Sequence, residues 1–155
     1  MSEVRTGGCL CGAVRFTATI ERTRFGGCHC KMCQRWGGGP LLAVTVRPEN
    51  LHWKGREHVA TFQSSDWAER GWCAKCGSNL FYHVTARGGD TSGGAEGDYE
   101  MAIGLFDDTS GLELVREIFI DQKPDAYAFA GDHKRLTEAE TLALYPPKHD
   151  AGDRR

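Results

Sequence analysis

Apolar and polar residues alternate along much of this chain. Ala13-Val-Arg-Phe-Thr-Ala-Thr-Ile20 sets Val14, Phe16 and Ile20 on one face, the pattern of a half-buried strand. Leu41–Val46 is a short β-branched run closed by Arg47-Pro-Glu-Asn50, a turn. Leu51–Lys54, His58–Gln63, Asn79–Thr85 and Tyr99–Phe106 read as further strands. Short strands with glycine-rich joints predict a mainly β fold of mostly antiparallel strands rather than βαβ units. Helix signals are few. Lys31–Trp36 predicts one or two turns, cut off by Gly37-Gly-Gly-Pro40. Thr137-Glu-Ala-Glu140 has the form of a capping box, opening a short C-terminal helix that stops before Pro146-Pro147. Ala86–Asp98, rich in glycine, is expected to be a disordered hairpin connection, with a lid over the functional site as the alternative, and Ser64-Ser65-Asp66 a turn. Residues 1–147 are read as one domain and 148–155 as a flexible charged tail.

At 155 residues, with 40% hydrophobic and 26% charged side chains, the chain has the balance of a globular domain with a real core. The formal charge of −2 gives no basic face for phosphates, so nucleic acid is not expected as a partner. No apolar run approaches the roughly 18 residues that cross a membrane, so no membrane partner is expected. Met1-Ser-Glu-Val-Arg-Thr6 does not resemble a signal peptide, and a cytoplasmic location is the default expectation. In a reducing compartment clustered cysteines are more often metal ligands than disulfides.

Seven cysteines stand as Cys9-Leu-Cys11, Cys28-His-Cys30-Lys-Met-Cys33 and Cys73-Ala-Lys-Cys76. Disulfides would leave one thiol over, while a division into four and three uses all seven. Four thiolates saturate a tetrahedral zinc; three leave a position open. Cys9 and Cys11, two apart on a strand, can face one metal if the backbone curls, and Gly7, Gly8 and Gly12 are expected to permit that curl. Cys73-Ala-Lys-Cys76-Gly77 has zinc-knuckle spacing. These four cysteines are read as a structural zinc site.

Cys28, Cys30 and Cys33 wrap three sulfurs around one point where a strand runs into a helical turn. Three readings of the trio stand: a site open to a substrate thiol or water, a second structural zinc completed by a distant His or water, and a Cys30–Cys33 redox pair. His52, His58, His83 and His133 are read as surface or satisfied core histidines, any one of which could complete a second zinc. A sulfur-rich zinc is a weak Lewis acid but suits an incoming thiol, which points to glutathione-like cosubstrates. His29, between two of the trio, is turned away by alternation and is expected to support the site or lie at the surface rather than carry protons. Trp36 and Trp72 lie beside cysteine motifs and are expected to shield a metal from water.

Gly8-Cys-Leu-Cys-Gly-Ala-Val-Arg-Phe16, Cys28-His-Cys-Lys-Met-Cys33 and Gly71-Trp-Cys-Ala-Lys-Cys-Gly-Ser-Asn-Leu-Phe81 resemble the glutathione-dependent formaldehyde-activating enzyme family, which also includes centromere protein V. The resemblance implies a zinc-stapled β-tent of short antiparallel strands, two Zn2+ per chain and carbon–sulfur lyase activity. It makes Cys9, Cys11, Cys73 and Cys76 the structural zinc ligands, and Cys28, Cys30 and Cys33 the catalytic ones. By that likeness the reaction joins glutathione to formaldehyde, giving S-hydroxymethylglutathione, or reverses that step; another small electrophile or thiol fits the same chemistry. The trio's zinc is expected to be the more loosely held. A non-catalytic, zinc-stabilised module presenting a groove to a protein is the alternative, and a thiol redox sensor comes third.

Overall fold

The computed structural model describes residues 2–85 and 97–145. Two antiparallel strands open the chain, β1 (Glu3–Gly8) and β2 (Arg15–Ile20), paired from Glu3 with Ile20 to Gly8 with Arg15. The predicted alternation holds: Val14, Phe16, Ala18 and Ile20 are buried, and the residues between them are half-exposed. After β3 (Arg24–Cys28) come helix α1 (Lys31–Gly37), β4 (Leu41–Val46) and β5 (Leu51–Lys54). Hairpin strands β6 (Val59–Gln63) and β7 (Ala68–Cys73) follow, joined through the predicted turn at Ser64–Asp66, then β8 (Asn79–Val84) and β9 (Tyr99–Ala102). The chain closes with β10 (Glu113–Ile118), β11 (Lys134–Arg135) and α2 (Glu138–Leu144).

These strands make two sheets, one in the order β1-β2-β5 and one in the order β11-β10-β3-β4-β9-β8-β7-β6. Pairing is antiparallel except where β10 runs parallel to β3 and to β11. The mainly β architecture with its short C-terminal helix is therefore as the alternation predicts, with a parallel margin that local pattern does not reveal. Residues 99–106 stop being a strand at Ala102, where a single 3-10 turn, Ile103–Leu105, takes over. The capping box forms as read: Thr137 Oγ1 accepts from the Glu140 N–H, and the Glu140 carboxylate accepts from the Thr137 N–H. Most of the Gly-rich segment, 86–96, and the tail, 148–155, lie outside the described residues. No helix among the described residues is long and apolar enough to cross a membrane.

The sheets meet through aromatic rings. Phe16 and Trp53 of the small sheet stand 6.0 Å apart, and Trp53 lies 5.7 Å from Phe81 and 6.2 Å from Tyr99 of the large one. Tilted and edge-on contacts of this kind suit the ring quadrupoles and add to the burial energy. Gly7 bridges to Phe106 at this seam, where a Cβ would lie 2.5 Å from the Phe16 ring and 2.4 Å from the Leu105 carbonyl oxygen. Close approach of two chains, not a special φ, is why glycine stands there.

One charged cluster is sealed into this scaffold. Glu117, on β10, is fully buried; its Oε1 lies 2.6 Å from His29 Nε2, and its Oε2 lies 2.5 Å from His133 Nε2 and 3.3 Å from Arg135 Nε. Burial pushes this carboxyl up, but hydrogen bonds from His133 and His29 outweigh it and hold it below its ordinary value. A lowered carboxyl pKa lends stability above the ordinary carboxylate range, and that stability fades as pH falls through the lowered value. Glu117→Gln removes the buried carboxylate that faces His29, His133 and Arg135 and is expected to cost about 3–5 kcal/mol at neutral pH, read from the urea midpoint. The gap from the parent should narrow below about pH 4. A midpoint unchanged at pH 7 would show that the carboxylate does not hold these segments together.

Candidate metal centres

The first cysteine group sits where two hairpin turns meet. Cys9-Leu10-Cys11-Gly12 is the turn between β1 and β2, closed by the Gly12 N–H donating to the Cys9 carbonyl at 3.2 Å. Gly12 takes φ 78°, the left-handed conformation that favours glycine. Cys73 ends β7, and the chain turns back through Gly77, at φ 79°, whose N–H donates to the Cys73 carbonyl at 2.8 Å. The Leu10 N–H donates to Ser78 Oγ at 3.0 Å and ties one turn to the other. The curled strand expected around Cys9 and Cys11 is instead a hairpin turn, and of its three glycines Gly12 alone uses a positive φ.

All four sulfurs lie within 4.8 Å of one another, with Cys9 and Cys11 at 3.6 Å and Cys11 and Cys73 at 3.9 Å. A tetrahedron of sulfurs at the usual zinc–sulfur distance has edges of about 3.8 Å. The donor set fits zinc. None of the seven cysteines is in a disulfide. Hydrogen bonds from the Ser78 side chain and backbone, with a further one from the Cys11 backbone, draw the Cys76 thiol down to about 5, towards the thiolate a metal needs.

The second group stands where β3 meets α1. Cys28 ends β3, in register with Leu41 of β4 and Ile118 of β10. Cys30 caps α1, its Sγ accepting from the Cys33 N–H at 3.4 Å, so strand end and helix start aim three sulfurs at one point. Those sulfurs also lie within 4.8 Å of one another. Among the described residues no His, Asp or Glu joins them. His133 is engaged by Glu117, and His83 faces Glu69 at 3.0 Å and stacks on Tyr99 at 3.8 Å.

Metal-free, the three thiols share charge unequally. The hydrogen bond from Cys28, then that from Cys33, drives Cys30 far below the ordinary thiol value. Cys28 is raised well above it by the same bonding to Cys30 and Cys33, and by burial. Cys33 gains from Cys28 but loses more to Cys30 and to burial, and is pushed up to about 11. A divalent ion held between the sulfurs would favour ionisation of all three.

The flanks of the trio are built from distant elements. His29 is turned away from the sulfurs, fully buried, and anchored by Glu117. Its Nδ1 has no hydrogen-bond partner among the described residues, and the rings of Tyr127 and Phe129 lie 6.3 and 6.0 Å from its own. It supports the cysteine turn and is not at the surface. Gln34 Nε2 donates to the His29 carbonyl at 2.6 Å and to the Gln122 carbonyl at 2.9 Å, fixing that turn from below.

On the other side lies Arg70, which belongs to none of the cysteine motifs. It is 4% exposed, and its Nη1 donates to Cys33 Sγ at 3.5 Å. Its guanidinium lies 5.2 Å from the ring centres of both Trp36 and Tyr82. Such a sandwich keeps a desolvated cation in place. The signal was present in β7: Ala68 and Arg70 both fall on the inward face, and a charged residue there requires a partner.

A cavity of about 230 Å³ opens beside the trio, lined by Cys33, Trp36, Pro40, Leu42, Asn79 and Ile103 among others, none of them charged. Asn79 Nδ2 donates to the Trp36 carbonyl at 3.3 Å. A larger hollow of about 500 Å³ runs along β10 and β11 between Glu113 and Lys134 but includes no cysteine. The smaller cavity is the one that touches candidate chemistry.

With four sulfurs in one group and three in another, the chain carries the donor pattern that its motifs announce. It belongs to the glutathione-dependent formaldehyde-activating enzyme family, whose sequence profile matches residues 4–122. An uncharacterised lyase of Schizosaccharomyces pombe is 30% identical over 138 residues, covering 88% of this chain and 93% of the relative. A crystal structure of a Rhodobacter sphaeroides protein shares the fold at TM-score 0.53 and 18% identity, over 84% of this chain and 98% of that one.

Proposed function

We propose that this chain is a zinc-dependent carbon–sulfur lyase, joining a glutathione-like thiol to formaldehyde or another small electrophile and splitting the same adduct in reverse. The observation that carries this reading is the division of the cysteines: a quartet with every corner taken, and a trio with three, beside a cavity. Family membership and the lyase name of the yeast relative support it. In this reading Cys9, Cys11, Cys73 and Cys76 hold a structural Zn2+, and Cys28, Cys30 and Cys33 hold a catalytic one. Bound there, zinc would supply the cation that lets an incoming thiol ionise and serve as nucleophile.

The residues around the trio divide the remaining work. The thiol sulfur forms a bond to the carbonyl carbon, and the carbonyl oxygen takes the negative charge and then the proton that the sulfur gave up. Asn79 is the polar side chain of the cavity wall, and its amide supplies a donor towards that oxygen. Arg70 hydrogen-bonds the Cys33 sulfur and sets a fixed positive charge beside three thiolates. His29, held by Glu117, orients the turn that carries Cys28 and Cys30. A protein-binding module needs only the quartet; the cavity against Cys33 favours the enzyme.

NMR exchange spectroscopy of glutathione with formaldehyde tests this directly. Zinc-loaded protein should accelerate exchange between free and adduct forms, and Cys30→Ser should remain folded but return exchange to the uncatalysed rate. Equal rates with and without protein would refute the formaldehyde assignment. A second test concerns the cation beside the trio. Arg70→Met should weaken zinc binding by the trio roughly 10- to 100-fold in chelator competition while sparing the quartet. Equal weakening of both, or of neither, would remove Arg70 from the site.

A further inference from the structure

The cavity beside Cys33 is too large and too apolar for formaldehyde alone. A water molecule takes about 30 Å³ of the liquid, and formaldehyde, with two heavy atoms, on the order of twice that. Most of the 230 Å³ would then be left to water against Trp36, Pro40, Leu41, Leu42 and Ile103, an unfavourable arrangement for apolar walls. No charged side chain lines it, so nothing in it answers the carboxylates or ammonium of a glutathione backbone. The thiol's charged parts therefore belong outside the cavity. What the walls suit is hydrocarbon.

Gly104 stands exposed at the mouth of the cavity. Gly104 lies in the 3-10 turn that ends β9, and a Cβ built on it meets no atom within 4 Å. It does not take a positive φ, so conformation does not require glycine there. Most glycines at close-packed sites would clash on gaining a side chain: a Cβ on Gly71 would lie 2.3 Å from the Phe81 ring. Gly104 is exposed, so a side chain there would extend into open space at the mouth of the cavity that Cys33 also lines.

We infer that this cavity receives the apolar substituent of a carbonyl substrate larger than formaldehyde, and that Gly104 keeps its mouth open to that substituent. The inference rests on the lyase reading for its reaction and goes beyond it in naming the substrate class: an uncharged aldehyde with a short branched or linear hydrocarbon group. The step balances as before. The thiol sulfur bonds to the aldehyde carbon, the C=O π bond breaks, and the oxygen takes the proton lost by sulfur, giving a hemithioacetal with its hydrocarbon group against Trp36 and Leu42.

The experiment compares glutathione exchange with isobutyraldehyde and with formaldehyde, each relative to its uncatalysed rate, in the zinc-loaded parent, Gly104→Ala and Gly104→Leu. The parent should accelerate isobutyraldehyde at least as strongly as formaldehyde. The isobutyraldehyde-to-formaldehyde ratio should fall in Gly104→Ala and by about 10-fold or more in Gly104→Leu, the scale on which apolar pockets discriminate by hydrocarbon size. A parent that accelerates formaldehyde alone, or a ratio that Gly104→Leu leaves unchanged, overturns the inference while leaving the lyase reading intact. Acceleration of neither aldehyde would overturn the lyase reading instead. Saturation-transfer NMR with isobutanol, which cannot react, reads the cavity separately. A signal lost in Gly104→Leu supports the inference; no signal in the parent, or one kept in the variant, overturns it.

Discussion

Thiolates repel one another unless a cation lies between them. The Cys11 sulfur stands 3.6 Å from that of Cys9 and 3.9 Å from that of Cys73, close to the edge length of a zinc–sulfur tetrahedron. Around that point the chain brings together the turn after β1 and the turn after β7, which belong to different sheets. A metal there would join the two sheets at one end, where the aromatic seam of Phe16, Trp53, Phe81 and Tyr99 joins them through the interior. The same electrostatic demand acts on Cys28, Cys30 and Cys33, and the fold meets part of it from within by placing Arg70 against Cys33.

The two groups differ in what surrounds them. The quartet lies at a hairpin end with Leu10 almost wholly in solvent, and its hydrogen bonds come from turn backbone and Ser78. The trio sits inside a frame of long-range contacts: β10 beside Cys28, Glu117 behind His29, Gln34 beneath the turn, and Arg70 with Trp36 and Tyr82 on the far side. Rigid support on three sides and a cavity on the fourth is the arrangement expected of a site that must hold its donors fixed while something enters.

Much of this was legible in the chain. The alternation at Val14–Ile20, the runs at Leu41–Val46 and Asn79–Thr85, and the capping box at Thr137 each carry their structure locally, and they appear as β2, β4, β8 and α2. The cysteine spacings likewise announce two groups. What stayed hidden depends on residues remote in sequence. β3 contains Gly26 and Gly27, which carry no strand preference, and pairs with β10 from far along the chain. β7 and β10 bury Arg70 and Glu117 on faces that a hydrophobic pattern assigns to apolar residues. Their partners lie 37 residues away for Arg70 with Cys33, and 88 for Glu117 with His29. No local rule reaches such pairs. The cavity is likewise a product of assembly, since its lining comes from α1 and β4 on one hand and β8 and the end of β9 on the other, which are far apart in the chain.

The central claim is that one cation is enclosed by four sulfurs and another is gripped by three with a corner free. Anomalous diffraction at the zinc edge, on crystals of protein purified with zinc, tests it most directly. The account predicts two peaks per chain: one bonded to Cys9, Cys11, Cys73 and Cys76, the other to Cys28, Cys30 and Cys33 with its fourth position taken by a non-protein atom. A single peak at the quartet with Cys30 and Cys33 joined in a disulfide, or a protein side chain filling the fourth position at the trio, would contradict it.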